Sequence, residues 1–316
     1  MQFDQLLEGL NVEVSAFAIC EVGRDASLVL EDDKAASIHY VLSGRGVAQQ
    51  MMGRAFPLAP HTVVIAPPRT CLVVSIGHKR EINLPMPKCE ALPGGWQRNT
   101  VGEDAPGIVL ACGAVRATHL HAAGLFDYLR APLVDSVADE PTFRRPFRQL
   151  LDELAAPRPG TRALAGALMK QCLNVLLRRH YESGECRAPW LAALDNPRLG
   201  AAVEAMLDRP DTPFTLAQLA DLAGMSRAAF AAHFRDTFGR PAMGFLKELR
   251  LRRAADLLAA TDLPVKTIAA RVGFGSRSHF SRAFKAFAGS DPVGYRAKAR
   301  RGDDLDGGAQ GGVRLI

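Results

Sequence analysis

Apolar and polar positions follow two rhythms along this chain. From Val12 to about Gly77, short apolar runs ("VEVSAFAI", "SLVLE", "SIHYVLSG", "HTVVIAPP") alternate with Gly44, Gly46, Gly53, Pro57 and Pro60. Short β-rich segments broken so often by turn residues predict a sandwich or barrel. Further along the spacing becomes helical. "AGLFDYLRAPLV" reads as helical, and "FRRPFRQLLDELAA" and "TRALAGALMKQCLNVLLRRHY" read as two helices parted by the break "PRPG". Leu164, Leu168, Val175 and Leu176 recur at helical spacing, so this pair either packs on the barrel or joins two subunits. The closing "RGDDLDGGAQGGVRLI" is rich in Gly and Asp and predicts disorder over 301–316.

The last hundred residues contain a repeat. "LAQLADLAGMSRAAFAAHF" from Leu216 and "VKTIAARVGFGSRSHFSRAF" from Val265 align with one residue inserted before Ser276. Leu219, Ala220 and Gly224 then match Ile268, Ala269 and Gly273, while Ser226, Phe230 and Phe234 match Ser276, Phe280 and Phe284. Each copy reads as a short helix, a glycine turn and a second helix. Thr215 with Gln218 fits a capping box, Gly224 suits a left-handed helix end, and Ser226 and Ser276 suit N-caps. The small Ala220 and Ala269 permit the close crossing of a helix-turn-helix. Between the copies, Pro241 starts a connecting helix reaching about Ala260, with Phe245, Leu249 and Leu258 among its apolar positions.

The second copy has a divided helix. On a wheel of roughly 100° per residue centred on Phe280, Phe284 and Phe287 fall within about 40°, and Ser278, Arg282 and Lys285 at roughly 140° to 200°. The aromatics are expected to be buried, the polar group to face outward, and Arg277 to project past the helix end. Such a helix can enter a major groove, where arginine donates two hydrogen bonds to guanine. The same wheel on the first copy places Ala228, Ala232 and Arg235 outward. Alanine makes no bidentate base contact, so the second copy is expected to discriminate more, with Arg227, Arg235 and Arg240 as phosphate clamps.

Charge supports that placement. The 316 residues carry a net charge of +6. From Ser226 to Arg300 there are 15 Lys+Arg against 5 Asp+Glu, a local +10, which leaves 6 − 10 = −4 for the remainder. A basic C-terminal segment beside an acidic remainder points to a polyanionic partner, or else to a solvated basic surface. No signal-peptide pattern or run of about 18 apolar residues occurs, and the six cysteines form no CxxC pair, so a cytoplasmic chain with reduced thiols and no membrane partner is expected.

These residues, with "TDLPVKTIAARVGF" and "SDPVGYR", resemble the AraC-type family of bacterial transcription regulators from Asn196 to about Lys298. The resemblance implies two helix-turn-helix units in successive major grooves of promoter DNA, often with activation through contact with RNA polymerase. By position it implies base contacts from Ala228, Ala231 and Ala232 in the first reading helix. In the second it implies contacts from Arg277, Ser278 and Arg282. The alanines depart from the polar or bulky residues frequent in the family at those sites.

"IHYVLSGRG" followed by "FPLAPHTVVIAPP" is similar to the cupin-like N-terminal domain of one branch of these regulators, which implies a sensory pocket. His39 lies in that motif and is a candidate for the pocket. A metal cupin needs converging histidines and carboxylates, and His39 has neither a second histidine two residues away nor the carboxylate, so no metal or cofactor is assigned. His39 then reads as a strand histidine satisfied by hydrogen bonds. His119 and His121 share a face if extended but precede the helical stretch, which argues against a metal there. Cys20 and Cys112 fall where some related regulators resemble thiol-based oxidant sensors. Inert buried thiols are the alternative, because sensing needs a lowered pKa, access and a resolving partner.

The expected architecture is an α+β multidomain chain. A cupin-like sensory β-barrel occupies 1–135, a helical connector that either packs on the barrel or dimerises 136–195, and an all-α DNA-binding domain 196–300, with helix-turn-helix units at 216–237 and 265–287. The expected function is promoter binding without catalysis, in response to an unidentified effector or oxidant. The competing classes are a cupin-type metalloenzyme with a nucleic-acid-binding appendage and a DNA-binding protein that senses nothing.

Overall fold

The computed structural model describes residues 3–15, 17–30, 35–50, 53–68, 70–77, 86–119, 124–129, 131–183 and 197–300. They form two compact units, one drawn from within 12–117 and 129–187, the other from within 1–11, 118–128 and 188–307. The 301–316 tail and His121 lie outside the described residues.

The first unit is built on strands. In chain order, past a short helix α1 (Phe3–Glu8) that groups with the other unit, these are β1 (Leu10–Val14), β2 (Ala18–Val22), β3 (Ser27–Leu30), β4 (Ala36–Gly44), β5 (Gly46–Gln50) and β6 (Ala55–Leu58). Then follow β7 (Thr62–Ala66), β8 (Leu72–Ser75), β9 (Lys88–Ala91), β10 (Gln97–Val101), β11 (Ile108–His119) and β12 (Leu133–Ser136). The larger sheet runs β12-β7-β4-β11-β2-β10-β9, with β1 also paired to β11; the smaller runs β3-β8-β5-β6. Strands from both sheets contribute to one apolar core that includes Val22, Leu28, Val41, Ala48, Val64, Val74 and Leu110. This two-sheet arrangement is the barrel-like sandwich the turn-rich front half predicts. Side chains alternate along a strand, so β4 places Ser37 and His39 on the inner face with Val41 and sends Tyr40 to the outer face.

Two helices cover that outer face. On α2 (Pro141–Ala155), Phe143 and Phe147 meet the Tyr40 ring at 6.2 and 4.4 Å, and Phe147 meets Phe17 at 6.0 Å. Phe17 lies over Gly113, where a Cβ would come within 2.9 Å of the ring, so a side chain at 113 would displace it. α3 (Thr161–Glu182) buries Ala165, Met169, Cys172, Leu173 and Leu176. Leu176 therefore separates from the apolar stripe read in the sequence, because Leu164 stays 46% exposed and Leu168 and Val175 are only partly covered. Arg179 of α3 bonds Asp135 of β12 at 3.0 Å.

Two local expectations are corrected here. "VEVSAFAI" is not one strand: β1 ends at Val14 and β2 begins at Ala18, with Phe17 between them turned into the aromatic cluster. In "AGLFDYLRAPLV" the described residues form a 3-10 turn at Leu125–Tyr128 in place of a helix, since Pro132 cannot continue one and Leu133 and Val134 pair with Ile65 and Val64 of β7. The sheet also extends past Gly77, where β11 lies at its centre.

The second unit contains seven further described helices: α4 (Pro197–Asp208), α5 (Leu216–Leu222), α6 (Arg227–Phe238), α7 (Ala242–Ala260), α8 (Val265–Arg271), α9 (Arg277–Ala288) and α10 (Pro292–Arg300). α5 and α6 form the first repeat copy, and α8 and α9 the second. The Thr215–Gln218 capping box forms, and Ser226 and Ser276 accept from the amides of Ala229 and His279. Gly224 and Gly273 take positive φ of 58° and 81° at the two turns. Along α7, Phe245 meets Phe234 and Phe238 of the first copy, whereas Leu251, Ala254 and Leu258 join Ile268, Phe280 and Phe284 of the second. One helix thus supplies both cores in succession. α10 closes the second copy: Tyr295 packs on Phe284 at 5.3 Å and Arg296 donates to the Leu263 carbonyl.

Candidate nucleic-acid interface

The reading face of the second copy follows from its buried face. Phe280 and Phe284 are fully buried, and Phe274 from the turn meets Phe280 at 5.3 Å. With that side fixed, the 3.6-residue period turns Ser278, Arg282 and Lys285 to solvent, and Arg277 stands in the first turn; all four are exposed. Phe287 departs from expectation. It is 37% exposed, and the Arg252 guanidinium lies 5.7 Å from its ring centre, a cation–π contact at the margin of the core.

On α6, Phe230, Phe234 and Phe238 are buried, Ala228, Ala232, Arg227 and Arg235 are exposed, and Ala231 is partly covered. The three alanines give this face fewer polar groups than that of α9. Arg240 does not serve as a free clamp, because its guanidinium pairs with Glu248 of α7, which also holds Arg252 at 2.8 Å. That ion pair holds the Arg240 guanidinium against α7. Sequence reading also missed His279, which is exposed on the first turn of α9 with its ring 5.5 Å from that of Phe274. Its position beside Ser276 gave no signal that it would pack on a turn residue.

The barrel interior is a second collection of polar groups. His39 Nε2 lies 2.9 Å from the Ser37 hydroxyl, while its Nδ1 and the Oδ1 of Asn99 on β10 are buried without a hydrogen-bond partner among the described residues. His39 is therefore only half satisfied. Burial lowers its pKa to about 4. β11 sets Cys112 opposite His39 on one side and opposite Ala18 on the other, and β2 sets Cys20 beside Asn99. Burial, and then a hydrogen bond with Cys20, push the Cys112 thiol well above its usual range, so it stays protonated. Among the described residues no group of three or more His, Cys, Asp or Glu could hold a metal ion.

The depressed His39 pKa makes a prediction about acid stability. The unfolded chain binds a proton near pH 6.5 and the folded chain only near 4, so stability is full above 6.5 and falls as pH drops through that window. The loss should approach about 3 kcal/mol by pH 4. Denaturant unfolding of wild type and His39→Gln at pH 7 and pH 4.5 checks this. The variant should lose less stability on acidification, and equal losses would remove His39 from the account.

A strand sandwich whose apolar core encloses a few polar groups, joined in one chain to two helix-turn-helix units on a basic segment, defines a DNA-binding transcription regulator. A cupin model matches residues 2–182, more than half the chain, and a helix-turn-helix domain model matches 219–298. The chain is 31% identical over 201 residues to the RCS-specific HTH-type transcriptional activator RclR of Escherichia coli, covering 63% of this chain and 71% of that one. It is 33% identical over 142 residues to the regulator AlkR of Acinetobacter baylyi, covering 45% and 46%. A solved AraC-type regulator from Chromobacterium violaceum aligns at 30% identity over 34% of this chain and 96% of that one, with a TM-score of 0.32. The chain belongs to the AraC-type family of transcription regulators, with a cupin N-terminal domain. No described helix is long and apolar enough to cross a membrane.

Proposed function

We propose that this protein reads promoter DNA with both helix-turn-helix units in successive major grooves and activates transcription through RNA polymerase when its barrel receives a signal. The observation that carries the reading is the α9 surface, where Arg277, Ser278, Arg282 and Lys285 stand exposed against a buried aromatic face. Arg277, Ser278 and Arg282 contact base edges, and Lys285, Arg227 and Arg235 contact phosphates. Ala228, Ala231 and Ala232 let α6 approach the groove closely while specifying less. No catalysis is involved, and the protein works in the cytoplasm, where the promoter is. The test is in-vitro selection of bound duplexes from a random library by the full-length protein. Two conserved blocks about one helical turn apart are expected, and recovery of no conserved sequence would overturn the proposal.

The signal enters the barrel. Two polar atoms without a partner among the described residues, on His39 and Asn99, support a small polar effector there, since buried polar groups are otherwise hydrogen-bonded. A second reading is favoured by the contact between Cys20 and Cys112 and by the RCS-specific name of the E. coli relative. In it a two-electron oxidant joins the two sulfurs and two protons leave, once barrel opening exposes the thiols. A Cys20→Ser, Cys112→Ser variant should bind DNA normally and lose any oxidant response; a retained response would remove the thiols from the mechanism.

The helical pair joins two copies. Leu164, Leu168 and Val175 leave an apolar stripe on the outer side of α3, which a second copy covers. Leu168→Glu is expected to halve the mass seen by analytical ultracentrifugation at micromolar concentration. An unchanged mass would place the dimer contact elsewhere, or show there is none.

A further inference from the structure

Three separate parts of the reader unit meet at one side chain. Arg250 sits midway along α7, between the half that serves the first copy and the half that serves the second. Its Nε donates to the Pro210 carbonyl at 2.6 Å, and its Nη2 donates to the Thr212 carbonyl at 2.8 Å. Both acceptors lie in the segment between α4 and α5, immediately before the capping box that opens the first copy. On the other side, a Cβ on Gly273 would come within 3.0 Å of the guanidinium carbon of Arg250 and 2.6 Å of the Asp211 carbonyl oxygen. Gly273 is the turn glycine of the second copy, so one guanidinium fills the junction between the entrance of one reader and the turn of the other.

The chemistry suits a lock. Guanidinium is planar, so its two bonds fix the orientation of the segment as well as its distance, which a single ammonium could not do. The side chain is half-buried, and its attraction to Asp211 only partly offsets the desolvation. Gly273 is required twice over, by its φ of 81° and by the absence of room for a Cβ. Ion pairs with DNA are not what this arginine is placed for, because its donors are turned to backbone carbonyls within the unit.

We propose that Arg250 is a positioning residue that fixes the angle between the two reading helices and thereby sets the half-site spacing the protein accepts. This rests on the reading that both copies enter one duplex. Two binding modules held rigidly gain from linkage only when the sites match their separation, whereas loosened modules tolerate a range of separations at a lower maximum affinity.

The test is the same library selection with full-length wild type, Arg250→Lys and Arg250→Met, sequencing the bound pool and measuring affinity for duplexes carrying one selected block alone. Wild type should return two blocks at one dominant spacing, favoured roughly tenfold over spacings one base pair longer or shorter. Both variants should return the same blocks, with that preference reduced to about twofold and one-block affinity unchanged. Comparison at an equal margin below each protein's own unfolding midpoint keeps a loss of fold from imitating a loss of lock. Unaltered spacing preference in both variants overturns the proposal, as does a fall in one-block affinity that fully accounts for their weaker binding. A wild-type pool with a single block would instead overturn the two-groove reading beneath it.

Discussion

Replacing Phe284 by alanine is expected to destabilise the second helix-turn-helix by about 3 to 5 kcal/mol. The ring is fully buried, meets Phe280 at 5.5 Å and Tyr295 at 5.3 Å, and belongs to the core shared by α7, α8 and α9. Truncation removes its transfer energy and leaves a cavity that three helices cannot collapse to fill. Domains of this kind have only about 5 to 15 kcal/mol in total. The reader unit should therefore unfold at much lower urea concentration and lose DNA affinity, while the strand unit, which shares none of these contacts, keeps its own transition. Urea titration followed by helical circular dichroism measures this, and a change below about 1 kcal/mol would mean that the aromatic cluster does not hold α9 in place.

Arg282→Ala should leave the fold intact and alter selectivity. Its side chain is exposed on the outward face of α9, so truncation removes no core contact. If Arg282 donates its two hydrogen bonds to guanine, the variant should lose about 1 to 3 kcal/mol of discrimination at one base pair of the selected site and little elsewhere. Competition binding with duplexes substituted one pair at a time reads this directly. Equal weakening on every sequence would instead make Arg282 a phosphate contact, with a correspondingly smaller salt dependence in the variant.

Much of the reader unit was legible because its signals are local. Caps at Thr215, Ser226 and Ser276, turn glycines at 224 and 273, and aromatics repeating on one face each depend on residues within a few positions of one another. Periodicity placed Ser278 and Arg282 on the outward face, and the resemblance then implied base contacts from them and from Arg277. The front half was legible as a class of fold but not as a topology. Strand pairing joins residues far apart, as where Cys112 of β11 lies opposite both Ala18 and His39, and no local pattern encodes that register.

The misread residues share the same cause. Arg240 looked like a phosphate clamp until α7 brought Glu248 to it, and Phe287 looked like core until Arg252 was found over its ring. Each is a choice between partners made in three dimensions.

The sequence by itself determined that two similar helical wedges follow a strand-rich domain, and which side of each wedge is apolar, because turn chemistry and helical period are properties of short stretches of chain. Only the tertiary structure decided that His39 and Asn99 keep atoms inside the barrel with no partner among the described residues, that Cys20 and Cys112 touch, and that Arg250 joins the segment ahead of the first copy to the turn of the second. Those facts depend on segments up to a hundred residues apart converging, and the energy of such contacts appears only after the chain has closed around them.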